Sequence, residues 1–573
     1  MITLTESPPD NHVLAKKSLE DVKQTSNISE SSLQPILSTM ATTTITAAAT
    51  STANTTQVRI QLSTRDESIE FPEKPGPILV STSKEITSSY TKHNIPLLTH
   101  SKQLLDLRRY ALSTLCNTLL ESPTPVPFEF LINGQFLRTS IDDFLTTNGI
   151  SAETTLNVEY IRAQLPPQHL ASFEHDDWVS SVDVLSRTSP ASIWTKSNVA
   201  SGQERILSAS YDGLLRVWDM SGNIVATSPA ARDHTGTAQK ILSTAWLSPT
   251  SLVSAGWNRS ITVWSYNENN NDSNDLTASN RGTISPTLDL YGHRGPVNAL
   301  AVHTPTSHIL SASTDHTAFV WSTSPSSQTT PAPSNLLPTS FINSNKRRKL
   351  SSSASSTPTA GPSSRLIGHT GPVRSTIFHP ADATVAYTAS SDRTFRTWDL
   401  VTSACVSSRV VAAHTPLSAL CGLKELGLVA IGTTSARTVL LVDPRESSSD
   451  AGAGKSVVMS LKGHRNDVVT LAADPRSIWG LGSGSHDGTV RVWDVRNAKG
   501  GEALGGGGED SKVGSATFRV PRRGNERCDV VPGGEGVKVF GMCWDEEVGI
   551  VSGGEDRMVQ IDKSGGGGGR SCE

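Results

Sequence analysis

The sequence holds no CxxC pair, no zinc-ligand spacing and no dense cysteine framework; Cys116, Cys405, Cys421, Cys528, Cys543 and Cys572 are scattered singly along 573 residues. This excludes a secreted scaffold stapled by disulfides, and the expectation is reduced thiols inside a cell. No apolar run approaches the roughly 18 residues of a membrane-crossing helix. The opening MITLTESPPDNHVLAKK also lacks the basic start and apolar core of a secretory leader. Excess positive charge is missing too: Lys+Arg 50 against Asp+Glu 54 leaves a net charge of −4, which supplies no overall attraction to nucleic acid. These absences point to a soluble intracellular chain with no membrane partner, reaching RNA through other proteins; direct contact through local basic patches is left open.

What is present is repetition. Residues 463–494, GHRNDVVTLAADPRSIWGLGSGSHDGTVRVWD, read as three strands: VVTLAA, LGSGS, and TVRVWD after the Asp487-Gly488 turn. His464, a serine of the second strand (Ser483 or Ser485), Asp487 and Trp493 contain the parts of a hydrolytic triad. Partial copies along the chain argue against that, because a structural unit recurs where an active site does not. The unit resembles the WD repeat, in which these residue types form a buried hydrogen-bond chain, and one such sheet needs neighbours around an axis to cover its faces and edges.

Seven copies are counted by the third-strand Trp or its substitute. They carry Asp212 and Trp218; Trp264; Asp315 and Trp321; Asp392 and Trp398; Val442; Asp487 and Trp493; and Asp556 with Ile561. Opening histidines are His175, His234, His293, His369, His414 and His464; the seventh copy has none. Asn258 replaces the turn Asp in the second, and the fifth has lost both Asp and Trp, so these blades are expected to rely on apolar packing. Gln168 to Phe173, after Pro166-Pro167, is expected to complete the last blade and remove the ring's open edge.

The predicted fold is mostly β: a seven-bladed propeller over 163–563, preceded by a small ubiquitin-like α+β (β-grasp) domain over 57–162. Residues 1–56, rich in Ser, Thr and Ala, are expected to be a disordered tail and 564–573 a flexible one. Long spacings, 77 residues from Trp321 to Trp398 and 68 from Trp493 to Ile561, exceed the ~40 to 45 of one repeat. They place disordered inserts at about 323–364 and 499–536, with a smaller one at about 267–284. In the small domain, Val58, Ile60 and Leu62 alternate as a strand and a loop follows from Phe71 to about Thr99. Leu104, Leu107, Ala111, Leu115 and Leu119 mark one helix face; FEFLING, SIDDFLTTNGI and TTLNVEYI read as strand, short helix and last strand.

The remaining motifs are weak alone. Lys346, Arg347, Arg348 and Lys349 form a basic cluster displayed in the third-to-fourth repeat insert, a nuclear-import candidate against a reading as solvated charge. GAGKS at 452–456 lacks the first glycine of a P-loop, since position 449 is Ser449, and a strand rather than a helix follows; nucleotide binding is rejected and no cofactor is expected. Asp142, Asp143 and Glu153 read as solvated surface carboxylates, Glu153 standing out only because it lies in a turn before the last strand.

The run VPFEFLINGQFLRTSIDDFLTTNGISAETTLNVEYIRAQLPPQHLASFEHDDWVSSVDV closely resembles the Ytm family of WD-repeat ribosome biogenesis proteins, whose ubiquitin-like module is called NLE after Notchless. The related Notchless proteins share the architecture but typically carry an extra blade. The resemblance implies a non-enzymatic scaffold for maturation of the large (60S) ribosomal subunit and its rRNA, in nucleolus and nucleoplasm. Implied partners are an Erb/Bop-type WD protein, a Pescadillo-type protein, pre-60S particles and the AAA ATPase midasin (Rea). It further implies that an acidic residue before the domain's last strand, here Glu153, completes the coordination of midasin's Mg²⁺ so that the motor can pull the complex away; the chain holds no metal of its own. The alternatives are a Notchless-like factor using the same contact and a WD40 substrate adaptor for protein modification.

Overall fold

The computed structural model describes residues 57–564 apart from 67–68, 73–74, 82–108, 122–124, 152, 196–198, 200–201, 231–238, 269–281, 324–329, 334–356, 413, 447–456, 501–511 and 523–536. The expected tail at 1–56, that at 564–573 apart from Ser564, which ends a strand, His234, the Lys346–Lys349 cluster and GAGKS lie outside the described residues.

The first sheet is built from β1 (Gln57–Ser63), β2 (Ile78–Ser81), β3 (Phe128–Ile132), β4 (Gln135–Phe136) and β5 (Leu156–Arg162) in the order β2-β1-β5-β3-β4. β1 and β5 run parallel at its centre, Ile60 opposite Leu156, and the other pairs are antiparallel. Alternation puts Val58, Ile60, Leu62, Phe128, Phe130, Ile132, Leu156, Val158 and Tyr160 on one face, where they bury against helices α1 (Arg109–Leu119) and α2 (Ile141–Asn148). Asn133 and Gly134, with φ of 52° and 76°, make the two-residue turn that only left-handed backbone permits. Ser140 caps α2 by accepting from the Asp143 N–H at 3.2 Å, and Gly149, at φ 63°, ends it.

Two expectations for this domain need correction. The loop read from Phe71 contains the edge strand β2, a short Ile-Leu-Val-Ser run set among prolines and polar residues, which pairs antiparallel with β1. On α1 the buried centre is Leu112 and Cys116, with Ala111, Leu115 and Leu119 flanking it; Leu104 and Leu107 lie outside the described residues. The expected face thus flanks the core rather than centring on it; burial lifts the Cys116 thiol to about 12, and it packs as a small hydrophobe beside Leu112.

From residue 167 onward the described strands form seven blades of four antiparallel strands, over residues 179–227, 241–291, 297–367, 373–410, 417–462, 468–521 and, for the last, 539–564 with 167–174; a fifth strand joins blade 2, and blades 5 and 6 are linked into one eight-stranded sheet where Val457–Lys462 runs parallel to Lys512–Pro521. Blade 1 comprises Val179–Leu185, Arg205–Ser210, Leu215–Trp218 and Ile224–Thr227; blade 6 comprises Val468–Ala473, Gly480–Ser485, Thr489–Gly500 and Lys512–Pro521. Blade 7 is composite: Val539–Asp545, Gly549–Gly554 and Met558–Ser564 are joined by β6 (Pro167–Glu174), antiparallel, from Glu174 opposite Met558 to Pro167 opposite Ser564. Phe173 of β6 stacks on Trp218 of blade 1, ring centroids 5.4 Å apart, inside a cluster with Val179, Val551 and Ile561 that seals the junction. Blade 5, without the polar set, is held by Val429, Ile431 and Val442 packed on Tyr387 and Phe395 of blade 4.

The inserts are smaller than expected. Lys512–Pro521, inside the 499–536 stretch, is the outer strand of blade 6. Within 323–364, Thr359-Ala360 adds a parallel fifth strand to blade 2 beside Asp289-Leu290, and Ser364 opens the outer strand of blade 3. Gly282–Tyr291 likewise begins inside 267–284 as the outer strand of blade 2. A blade needs a fourth strand whatever its composition, and outer strands pair mainly through backbone, so the repeat spacing overstated the extra loop.

Candidate partner-binding site and the blade networks

The Ser, His and Asp of blade 6 do meet. Trp493 Nε1 donates to Ser483 Oγ at 2.7 Å, Ser483 Oγ lies 2.6 Å from His464 Nε2, and His464 Nδ1 lies 2.9 Å from Asp487 Oδ2. An indole N–H only donates and a carboxylate only accepts, so the chain runs one way: Ser483 donates to Nε2, and a neutral imidazole donates from Nδ1. Asp487 also accepts from Thr489 Oγ1 at 2.6 Å and the Arg465 N–H at 3.0 Å. Burial alone would raise its carboxyl, but these bonds and His464 hold it well below the usual carboxylate range; burial keeps His464 below its ordinary value despite the aspartate. Ser485 stands outside the relay, donating to Asn466 O and accepting from the Asp487 N–H.

Blades 3 and 4 repeat the arrangement. Trp321, Ser311, His293 and Asp315 are linked at 2.8, 2.8 and 3.0 Å, and Trp398, Thr388, His369 and Asp392 at 2.8, 2.7 and 2.9 Å. Ser483, Ser311 and Thr388 are fully buried, so their hydroxyls offer nothing to a substrate and instead tie the opening loop to the turn and third strand.

Blades 1 and 7 depart from this scheme. In blade 1 Arg216 enters between the usual partners: its Nη1 donates to Asp212 at 2.7 Å and faces His175 Nδ1 at 3.2 Å, while Trp218 still donates to Ser208 at 2.7 Å. Burial and then the arginine push His175 down to about 3. In blade 7, which has no opening histidine, Arg522 takes its place. Its Nε and Nη2 make a fork on Asp556 at 2.7 and 2.8 Å, and Nη1 donates to Ser552 at 3.0 Å. The roles of Arg216 and Arg522 are not evident from the sequence: Arg216 stands in a third strand whose repeat already has its histidine, and Arg522 follows a stretch without repeat signature. His414 of blade 5 is exposed and outside any such chain, and Asn258 of blade 2 leaves its side-chain oxygen unpartnered.

Glu153 sits between Gly149 and β5 in a turn held by Thr154 Oγ1 donating to Ser151 O at 2.8 Å and the Glu153 N–H donating to Ser151 Oγ at 3.3 Å. Its side chain is exposed, and its carboxylate has no hydrogen bond or ion pair among the described residues. The turn is anchored on both sides: Gly149 N–H and Ile150 N–H close α2, and Leu156 enters the core. Asp142 and Asp143 are exposed on the first turn of α2. Among the described residues no group of three or more His, Cys, Asp or Glu is placed to hold a metal. A lone carboxylate on a surface turn can act on a cation only as one ligand to an ion held elsewhere.

Comparison with known proteins adds a family. Residues 58–145 match the NLE (NUC135) domain, and 167–219, 284–322, 361–399 and 455–494 match the WD domain, G-beta repeat. The chain is 50% identical over 523 residues to the ribosome biogenesis protein ytm1 of Aspergillus terreus, covering 91% of this chain and 98% of that protein. It is 51% identical over 522 residues to the protein of that name from Aspergillus oryzae, covering 90% and 97%, and 49% over 515 residues to that from Ajellomyces capsulatus, covering 90% and 95%. A solved WD40 β-propeller domain, that of Doa1, is similar at 18% identity with a TM-score of 0.44, covering 69% of this chain and 97% of that one.

Proposed function

The chain belongs to the Ytm1 family of ribosome biogenesis proteins, and from that membership we propose that it is a non-enzymatic scaffold of large-subunit maturation whose ubiquitin-like domain is gripped by the AAA ATPase midasin. The propeller docks the Erb/Bop-type and Pescadillo-type partners on pre-60S particles in the nucleolus. Glu153 supplies one carboxylate oxygen to the Mg²⁺ held by the ATPase, a hard ligand for a hard ion, and through that bond the motor draws the complex off the particle.

The observation that carries this reading is the exposed, unpaired Glu153 carboxylate on a turn anchored by α2 and β5. A free carboxylate keeps its ligand capacity, and a rigid support transmits force. Glu153→Ala is expected to fold normally and to retain the propeller partners, while midasin binding in pull-downs falls to background and unreleased complex accumulates on pre-60S particles. Wild-type midasin binding by that variant would overturn the assignment.

A further inference from the structure

The β-grasp sheet has two faces, and only one packs on its helices. On the other, Leu131, Phe136 and Ile161 form a separate cluster and are 1%, 9% and 4% exposed. Apolar side chains on a helix-free face stay dry only if something covers them. Residues from Thr55 to Glu573 form one compact unit, and within it β4 lies against the 489–500 strand of blade 6. At the rim Arg65 of the small domain and Arg496 of blade 6 both lie over the half-buried Trp479 ring, each 5.6 Å from its centroid. Gln164 Nε2 donates to Asp474 Oδ2 at 3.4 Å. Glu129, on the same face and paired with Arg109 and Arg138, is close enough to Asp494 of blade 6 to feel its charge, and burial raises its carboxyl.

We infer that the outer face of the ubiquitin-like sheet is an intramolecular docking surface for blade 6, and that this clamp delivers load applied at the domain into blade 6 rather than into the ring-closing strand. Residues 163–166 are all that separates β5 from β6, the strand contributed to blade 7. Without the clamp, a pull on the domain runs along that short link and strips β6 from Met558–Ser564 end first, one ladder bond at a time. With it, the load is shared by the β4 contact with the 489–500 strand, the Arg65–Trp479 contact and the Gln164–Asp474 hydrogen bond, on a blade whose four strands follow one another in sequence. The load path rests on the reading of the domain as a handle; the clamp does not.

Two variants of the full chain separate the claims: Trp479→Ala, which empties the centre of the rim, and Arg65→Gln/Gln164→Ala, which changes one exposed and one half-buried polar side chain without setting like charges beside Glu159 and leaves both cores intact. Hydrogen exchange of residues 129–137 is expected to speed up about tenfold in either. In an optical trap with one handle on the ubiquitin-like domain and one on blade 3, detachment of 167–174 is expected at a lower force than in the wild type. Unchanged exchange in both variants overturns the clamp. Faster exchange with an unchanged detachment force overturns the load path. Neither result touches the handle assignment, which Glu153→Ala decides through midasin binding.

Discussion

Donor and acceptor rules decide what a Ser-His-Asp set can do, and in this chain they make it a fastener. The neutral imidazoles have a consequence for pH. His175, His369 and His464 sit below their ordinary value in the folded chain, so near pH 6 the unfolded chain binds more protons than the folded one. Their contribution is complete above the unfolded value of about 6.5 and is lost as pH falls toward the folded one; the depressed carboxyls of Asp315, Asp392 and Asp487 add a second loss at more acid pH. The urea midpoint is therefore expected to drop from about pH 7 to 5, less steeply than the histidines alone would give because burial lifts the Asp183 carboxyl to about 6 and lets the folded chain take up a proton in the same window; a midpoint that rises over that range would contradict neutral histidines. Arg522 supplies the sharper test. Arg522→Met leaves the Asp556 carboxylate buried and unpaired and is expected to cost about 3–5 kcal/mol in denaturant unfolding, with Arg522→Met/Asp556→Asn recovering part of it. The histidine networks were legible because the residue types recur at fixed offsets; Arg522 was not, because it performs a histidine's task from a stretch with no repeat signature.

At the level of elements, second and third strands were readable because they carry both alternation and motif. Outer strands lack the motif, though some alternate, with Met459 and Leu461 of one and Ala516, Phe518 and Val520 of another packed inward. Lys512–Pro521 emerges from a glycine-rich stretch, β2 from one rich in Pro, Ser and Thr, and both are fixed by main-chain ladders to a partner that the sequence does not point to. β6 was legible for a different reason: a double proline ended the previous strand, and the final repeat was one strand short. The dependence of blade 7 on it can be checked by removal. A chain beginning at His175 loses Phe173 from the Trp218 cluster and bares the edge of Met558–Ser564, and it is expected to self-associate in size-exclusion chromatography with rapid amide exchange confined to blades 7 and 1.

For the whole molecule, composition and repeat spacing defined a small domain and a ring, but not their contact. Leu131, Phe136 and Ile161 read as ordinary strand residues; that both faces of β3 are buried depends on a blade more than 300 positions away in sequence, as the Gln164–Asp474 bond shows. Residues 57–162 expressed alone are expected to bind an apolar dye that the full chain does not, since the outer face would then meet water; equal binding would mean the face is wet in both. The closing of blade 7 by β6 also sets a timetable during translation. β6 leaves the ribosome before any other propeller strand, and its ladder partner Met558–Ser564 follows only after the other blades are made, so at ordinary elongation rates the nascent strand waits on the order of tens of seconds. Through that interval it presents unpaired main chain to the cytosol, and a factor that helps to build ribosomes must itself be sheltered until the strand that closes its ring is made.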